Sequence, residues 1–298
     1  METGHKYAAI DIGSNAVRLL LSAVFETDRG PYFRKISLIR MPIRLGDDAF
    51  IHRCISDSKI DQMVQALTGF KHLIEAYQPI AYQACATSAM REARNGLQIC
   101  RRIREKAGIE IQIIDGKEEA RIISANSTLK CTHDKAVAVY LDVGGGSTEI
   151  TIFNGNHQMS RSFNIGTIRL MQDMVTSADW EQMKLWVKEK TGPFDRLVAV
   201  CSGGNIHKII RLSKSKDGET ISFKHMKKVR KLLKAYTVAE RVTKLGLKPD
   251  RADVILPAHK IYYSVLKWGR IPLIKVPQMG LADGIVRQLY FQENPAPD

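Results

Sequence analysis

Three short glycine-containing segments carry the clearest chemistry: Asp11-Ile12-Gly13-Ser14-Asn15, Asp142-Val143-Gly144-Gly145-Gly146-Ser147 and Ser202-Gly203-Gly204-Asn205. Each follows an apolar, strand-like run. Bare backbone N–H groups and small hydroxyl or amide side chains would therefore meet a ligand at a strand end, which suits phosphate oxygens. Any one of them also reads as an ordinary tight turn, but three in one chain, two opening with an acid, point to a multiply charged anion. No Gly-x-x-x-x-Gly-Lys-Ser/Thr is present and no Gly-x-Gly-x-x-Gly follows the first strand, so the P-loop and dinucleotide fingerprints do not apply. Asp11 and Asp142 admit two readings. Their carboxylates cap the amides of their own turns; or, the reading favoured here, they face each other across a cleft and hold Mg²⁺ directly or through water while the turns hold phosphate. Phosphoryl transfer to water then needs a base, and the candidate lies within Asp115-Gly116-Lys117-Glu118-Glu119-Ala120-Arg121. Adjacent glutamates on a helix point about 100° apart, so one can face solvent while the other faces the cleft; acids favouring a helix N-terminus are the alternative. At 87–93 a second strand-to-helix junction offers an anion clamp through Arg91.

The elements that must position these residues alternate between strand and helix. Apolar runs predict strands at 7–10, 16–25, 32–43, 80–86 and 110–114. Ile60, Val64, Leu67, Phe70 and Ile74 recur at helical spacing over 57–77 behind a capping Ser56 or Asp57, and Pro79 ends that helix. Helices are also expected over 88–107, as one basic amphipathic element, and over 118–130. The order then repeats: a buried-type strand at 136–141, the Asp142 turn and a further strand at 148–153. Asp11 and Asp142 are 131 residues apart (142 − 11), so an internally duplicated α/β unit is the economical inference. The second half adds helices at 179–190, 224–235, 238–245 and 251–266, strands at 197–201 and 274–276, a helix at 283–291 and a frayed tail at 294–298.

Composition narrows the class. With 298 residues, 44% apolar and 26% charged, the chain has the makings of one large or two medium globular domains and none of a fibrous or disordered protein. No apolar stretch is long enough for a membrane helix, and the first residues lack a signal peptide's apolar segment, so membrane insertion and secretion are not expected. Five cysteines at 54, 85, 100, 131 and 201, without Cys-x-x-Cys spacing, suggest neither a disulfide framework nor zinc; a reducing, cytoplasmic setting fits. The net charge of +14 favours a polyanionic partner. Two basic runs, 101–106 and 224–234, read as solvated helix faces, and without interleaved aromatics or a recognised module they argue against nucleic acid.

At these residues the chain resembles the exopolyphosphatase/guanosine pentaphosphate phosphohydrolase (Ppx/GppA) family of the actin-like ATPase superfamily. The resemblance runs through 7–15, Ala86-Thr87-Ser88-Ala89-Met90-Arg91-Glu92-Ala93, Glu118-Glu119-Ala120-Arg121, Leu141 to Glu149 and Gly280-Leu281-Ala282-Asp283-Gly284. It implies two actin-like (ribonuclease H-like) α/β domains, 1–128 and 129–298. Each would carry a mixed five-stranded sheet flanked by helices, with the active-site cleft between them and the last helix able to pack back on the first domain. It implies Glu119 as catalytic base. Asp142 and Glu149 would support Mg²⁺ and the attacking water, and Asp11 would belong to the metal shell. Ser14, Asn15, Arg91, Gly144, Gly145 and Ser147 would hold terminal phosphates; the third turn, Gly203-Gly204, joins that set on its own chemistry. The chain departs from the family at Ala16, Asn205 and Ala282, where Ser, Thr and Arg are usual, and is expected to lack the helical HD-like domain of longer members. The implied activity is Mg²⁺-dependent release of terminal phosphate from inorganic polyphosphate or guanosine pentaphosphate. The alternatives are an ATP-dependent small-molecule kinase, with Gly203-Gly204 as an adenosine loop, and a regulator that binds polyanions or nucleotides with little activity. The sequence leaves a homodimer neither required nor excluded.

Overall fold

The computed structural model describes residues 4–124, 136–154, 157–215, 217–277 and 279–294. The chain forms two compact units, Met1–Asn126 with Gly280–Asp298, and Ser127–Met279. The expected domain junction near 128, Cys131, the last residues of the 118–130 helix and the tail beyond 294 lie outside the described residues.

In the first unit β1 (His5–Ile12), β2 (Val17–Phe25) and β3 (Tyr32–Met41) form an antiparallel meander. There follow α1 (Leu45–His52), α2 (Asp57–Tyr77), β4 (Ala81–Ala86), α3 (Ser88–Glu92), α4 (Gly96–Ala107), β5 (Ile111–Ile113) and α5 (Gly116–Ser124). β4 and β5 add parallel to β1, giving the sheet order β3-β2-β1-β4-β5. From Tyr7 onward β1 is an unbroken buried run, as a central strand covered on both faces must be. α2 buries Ile60, Met63, Leu67, Phe70 and Ile74; Met63 rather than Val64 completes the stripe. The expected single helix over 88–107 is two. Ala93 turns extended, and the Asn95 side chain accepts from Ile55 N at 3.0 Å and donates to Ile55 O at 2.8 Å, pinning the break to a distant loop.

The second unit holds β6 (Val137–Val143), β7 (Thr148–Asn154), β8 (His157–Phe163), α6 (Thr167–Met171), α7 (Ser177–Thr191), β9 (Leu197–Ser202) and α8 (Gly204–Leu212). It continues through β10 (Thr220–Ser222), α9 (Phe223–Lys234), α10 (Val238–Thr243), α11 (Pro249–Ala252), α12 (Ile255–Trp268) and β11 (Leu273–Lys275). Its sheet runs β10-β11-β9-β6-β7-β8. Without β10 the pattern repeats the first sheet strand for strand. The expected five strands become six because Thr220–Ser222 pairs antiparallel with β11 at the edge. The 251–266 helix is divided into α11 and α12. α12 runs through the core, burying Ile255, Ala258, Ile261, Tyr262 and Val265. Each of the Ile and Val side chains among them is worth about 1.5–3 kcal/mol when removed from water.

The last helix, α13 (Leu281–Glu293), belongs to the first unit, where Ile285, Val286 and Leu289 pack with Ile122 and Ile123 of α5 and with Tyr7 and Leu20. Asp283 caps it through Gly280 N at 2.8 Å and pairs with Lys35. A Cβ on Gly284 would lie 2.2 Å from Ile122 O, so α13 crosses α5 closely there. The Gly280–Gly284 motif thus fixes the helix that carries Glu119.

Candidate functional site

In the first unit Asp11, the penultimate residue of β1, lies directly opposite Arg18 of β2, and the two side chains form an ion pair at 2.5 Å. Gly13 N donates to Ala16 O at 3.2 Å and closes the turn between them. The carbonyls of Ser14 and Asn15 are drawn away by Gly46 N at 2.8 Å and Arg44 N at 3.2 Å, at the start of α1. Ser14 Oγ and Ser88 Oγ lie 2.9 Å apart, which joins the first turn to the start of α3. At the other junction Asp115 Oδ1 accepts from Lys117 N and Glu118 N, both at 2.8 Å, so the cap sets the phase of α5. Glu118 turns outward to a two-pronged pair with Arg121, which lowers its pKa. Glu119, one position on, is only 8% exposed. Arg91 reaches the same place: Nη1 donates to Ile114 O at 2.7 Å and lies 3.9 Å from Glu119 Oε2.

The second unit repeats this framework with different side chains. Asp142 is the penultimate residue of β6, and its cross-strand partner on β7 is Glu149. Ser202 Oγ donates to Asp142 Oδ1 at 2.6 Å, and Ser162 Oγ donates to Glu149 Oε1 at 2.8 Å. Tyr262 OH in turn holds Ser202 O at 2.7 Å. Gly144 N donates to Ser147 O at 2.9 Å and closes the turn. The carbonyls of Gly144 and Gly145 are taken by Thr167 N and Ile168 N, and that of Gly146 by Arg169 Nε at 2.8 Å. A Cβ on Gly166 would come within 2.2 Å of Gly145 O, so only glycine lets α6 approach this closely. The amides of Gly145 and Gly146 donate to no group among the described residues, which leaves the turn presenting N–H groups. At the third turn Gly203 and Gly204 begin α8, and Arg251 Nη1 donates to Gly204 O at 2.8 Å.

Two glycine turns that each carry a serine, a cross-strand acid pair and a buried glutamate beside an arginine are parts that phosphate chemistry uses. The profile of the Ppx/GppA phosphatase family matches residues 23–292. The chain belongs to that family. Among its relatives, the bifunctional 3-dehydroquinate synthase/phosphatase of Fusobacterium nucleatum is 30% identical over 172 residues, 55% of this chain and 26% of that one. Exopolyphosphatase 1 of Mycobacterium tuberculosis is 21% identical over 304 residues, covering 94% of this chain and 87% of its own. The fold is that of solved family members. The Ppx/GppA protein of Aquifex aeolicus superposes with a TM-score of 0.77 at 22% identity, covering 98% of this chain and 99% of that one. For the exopolyphosphatase of Cytophaga hutchinsonii the TM-score is 0.81 at 22% identity, with 97% of each chain covered.

Ser14, Asn15, Asp11, Arg91 and Glu119 thus fall in the first unit, and Asp142, Gly144, Gly145, Ser147, Glu149, Gly203 and Gly204 in the second. The motif reading passed over Arg18, Ser162, Arg169, Arg251 and Tyr262. Arg18 had a signal: it precedes Glu149 by the same 131 residues (149 − 18) that separate the two aspartates. Arg169 and Arg251 reach their turns from distant segments and had none. Among the described residues no helix is long and apolar enough to cross a membrane.

Proposed function

We propose that this chain is a phosphohydrolase that releases the terminal phosphate of a phosphoanhydride chain, with inorganic polyphosphate as the main substrate class and guanosine pentaphosphate as the second. One observation carries the reading: in a Ppx/GppA family member, the strand-end acid of the second glycine turn has another acid, Glu149, as its cross-strand partner. Side-by-side carboxylates repel. With one oxygen of each held by a serine hydroxyl, they make a hard oxygen donor set that fits Mg²⁺. Mg²⁺ held by Asp142 and Glu149 would neutralise charge on the phosphate being transferred. Asp11, already balanced by Arg18, acts on the first turn's geometry and at most through water.

The protein's own residues then divide the work. The amides of Gly145 and Gly146 and the hydroxyls of Ser14 and Ser147 bind the equatorial oxygens, and Gly203 and Gly204 shape the third turn. Glu119 takes the proton of the attacking water, and Arg91 steadies its carboxylate and a phosphate oxygen. The kinase alternative is weakened by Arg251, whose guanidinium packs against the turn that reading assigns to adenosine.

The test is phosphate release from long polyphosphate, tripolyphosphate, guanosine pentaphosphate and ATP, with and without Mg²⁺. The reading expects release from polyphosphate only with the metal. Glu119→Gln should cut that rate by about 10²–10⁴-fold while polyphosphate binding persists. Turnover that survives in Glu119→Gln removes the base assignment, and turnover of ATP alone removes the substrate class.

A further inference from the structure

Of the two basic runs in the sequence, the structure separates one from the other. On α4, Arg102 pairs with Asp61 and with Asp57 of α2, so that run is partly answered by acids on the neighbouring helix. α9 carries Lys224, Lys227, Lys228, Arg230, Lys231 and Lys234 and no acid. α8 adds Lys208 and Arg211, α12 adds Lys260 and Lys267, and neither contains an acid. These three helices pack on one another within the second unit. Among the described residues none of these ten cations pairs with a carboxylate.

The geometry of α9 is that of a track. Met226, Val229 and Leu233 are buried, which sends Lys224, Lys227, Lys228, Lys231 and Lys234 outward, all exposed, at three- and four-residue spacing. From Lys224 to Lys234, at about 1.5 Å rise per residue, the stripe is about 15 Å long. Like charges so spaced cost helix stability. Lys208 of α8, whose Nζ donates to Gly246 O at 3.3 Å, is held below the ordinary lysine range, by burial first and then by Arg211, Arg251 and Lys248.

We propose that the exposed lysine stripe of α9 binds a linear polyanion, the long chain of inorganic polyphosphate. Flexible ammonium groups in a row suit an evenly charged chain that offers neither bases nor a bilayer. The rings next to the stripe are already engaged, Phe223 on Tyr263 at 4.9 Å and Tyr263 on His259 at 6.0 Å, which disfavours base stacking. None of the three helices exposes a large apolar side chain, which disfavours a lipid surface. The choice of polyphosphate rests on the function proposed above; binding at this face does not depend on Glu119.

The experiment uses the full chain and end-labelled long-chain polyphosphate, read by fluorescence anisotropy across a salt series. Lys227→Gln/Lys228→Gln/Lys231→Gln should bind at least tenfold more weakly, with the salt dependence less steep by about two to three charges. Its preference for the long chain over tripolyphosphate should fall by a similar factor. The charge-matched control Arg101→Gln/Arg104→Gln/Lys106→Gln on α4 should change long-chain binding less than twofold. A single Lys228→Glu, expected to weaken binding several-fold, gives an independent reading should the triple variant fold poorly. Equal weakening by both triple variants, unchanged binding in the α9 variants, or tighter binding of duplex DNA or anionic vesicles at equal phosphate concentration overturns the proposal. Should the wild type bind the chain through α9 yet release no phosphate, the catalytic reading fails and this one stands.

Discussion

The hairpin β1–β2 and the hairpin β6–β7 share one backbone plan. Each carries aspartate as the penultimate residue of its first strand, closes its turn with one amide-to-carbonyl bond across four residues, and has its turn carbonyls drawn back by the start of the next helix. The neighbours of the aspartate differ. Asp11 has Arg18 on one side and Cys85 on the other; Asp142 has Glu149 and Ser202. The first hairpin neutralises its acid within itself, and Cys85, pushed up to about 12 by burial and then by the charge of Asp11, stays an inert thiol. The second hairpin places acid beside acid and lends Asp142 a hydroxyl donor. On the function proposed above, the residue opposite the aspartate decides which of the two turns becomes a cation site.

The comparison can be broken by removing each acid in turn. Asp142→Asn should cost about 10²–10³-fold in phosphate release, whereas Asp11→Asn should cost about tenfold, both read as initial rates on polyphosphate with saturating Mg²⁺. Equal losses would mean that the hairpins share one role. Gly166→Val drives a side chain into the second turn alone; a loss of about 3 kcal/mol or more in denaturant unfolding is expected. The smallest effect sharpens the contrast in another way, because the second unit buries a titratable group the first has no counterpart for. His259 donates through Nε2 to Met226 O at 2.8 Å, and burial first, then Arg230, lowers its pKa to about 4 from an ordinary 6.5. Between those values the unfolded chain binds a proton that the folded chain refuses. Stability should therefore rise with pH from about 4 to about 6.5 by up to about 1.4 kcal/mol per pH unit, and His259→Gln should flatten that slope.

Much of this was legible in residue order. Continuous apolar runs gave β1, β6 and β9, and the stripe on α2 together with Pro79 gave a helix of the observed length. The acid-and-glycine turns were visible because their chemistry is local. What escaped is held by distant partners. The break at 93–95 falls at Asn95-Gly96, a pair of poor helix formers, and is held by the bonds of Asn95 to Ile55, while β10 is a strand only through its pairing with β11. Arg18 and Glu149 are visible in the sequence, but their meaning rests on strand register, which sets each opposite an aspartate.

Titrating Mg²⁺ into the substrate-free protein, by calorimetry and by thermal midpoint, tests most directly whether the cross-strand residue makes the cation site. The wild type and Arg18→Ala should bind and be stabilised, while Glu149→Arg, which gives the second hairpin the first one's ion pair, should keep its fold and lose the response. A metal response that persists in Glu149→Arg but vanishes in Asp11→Asn would contradict the account.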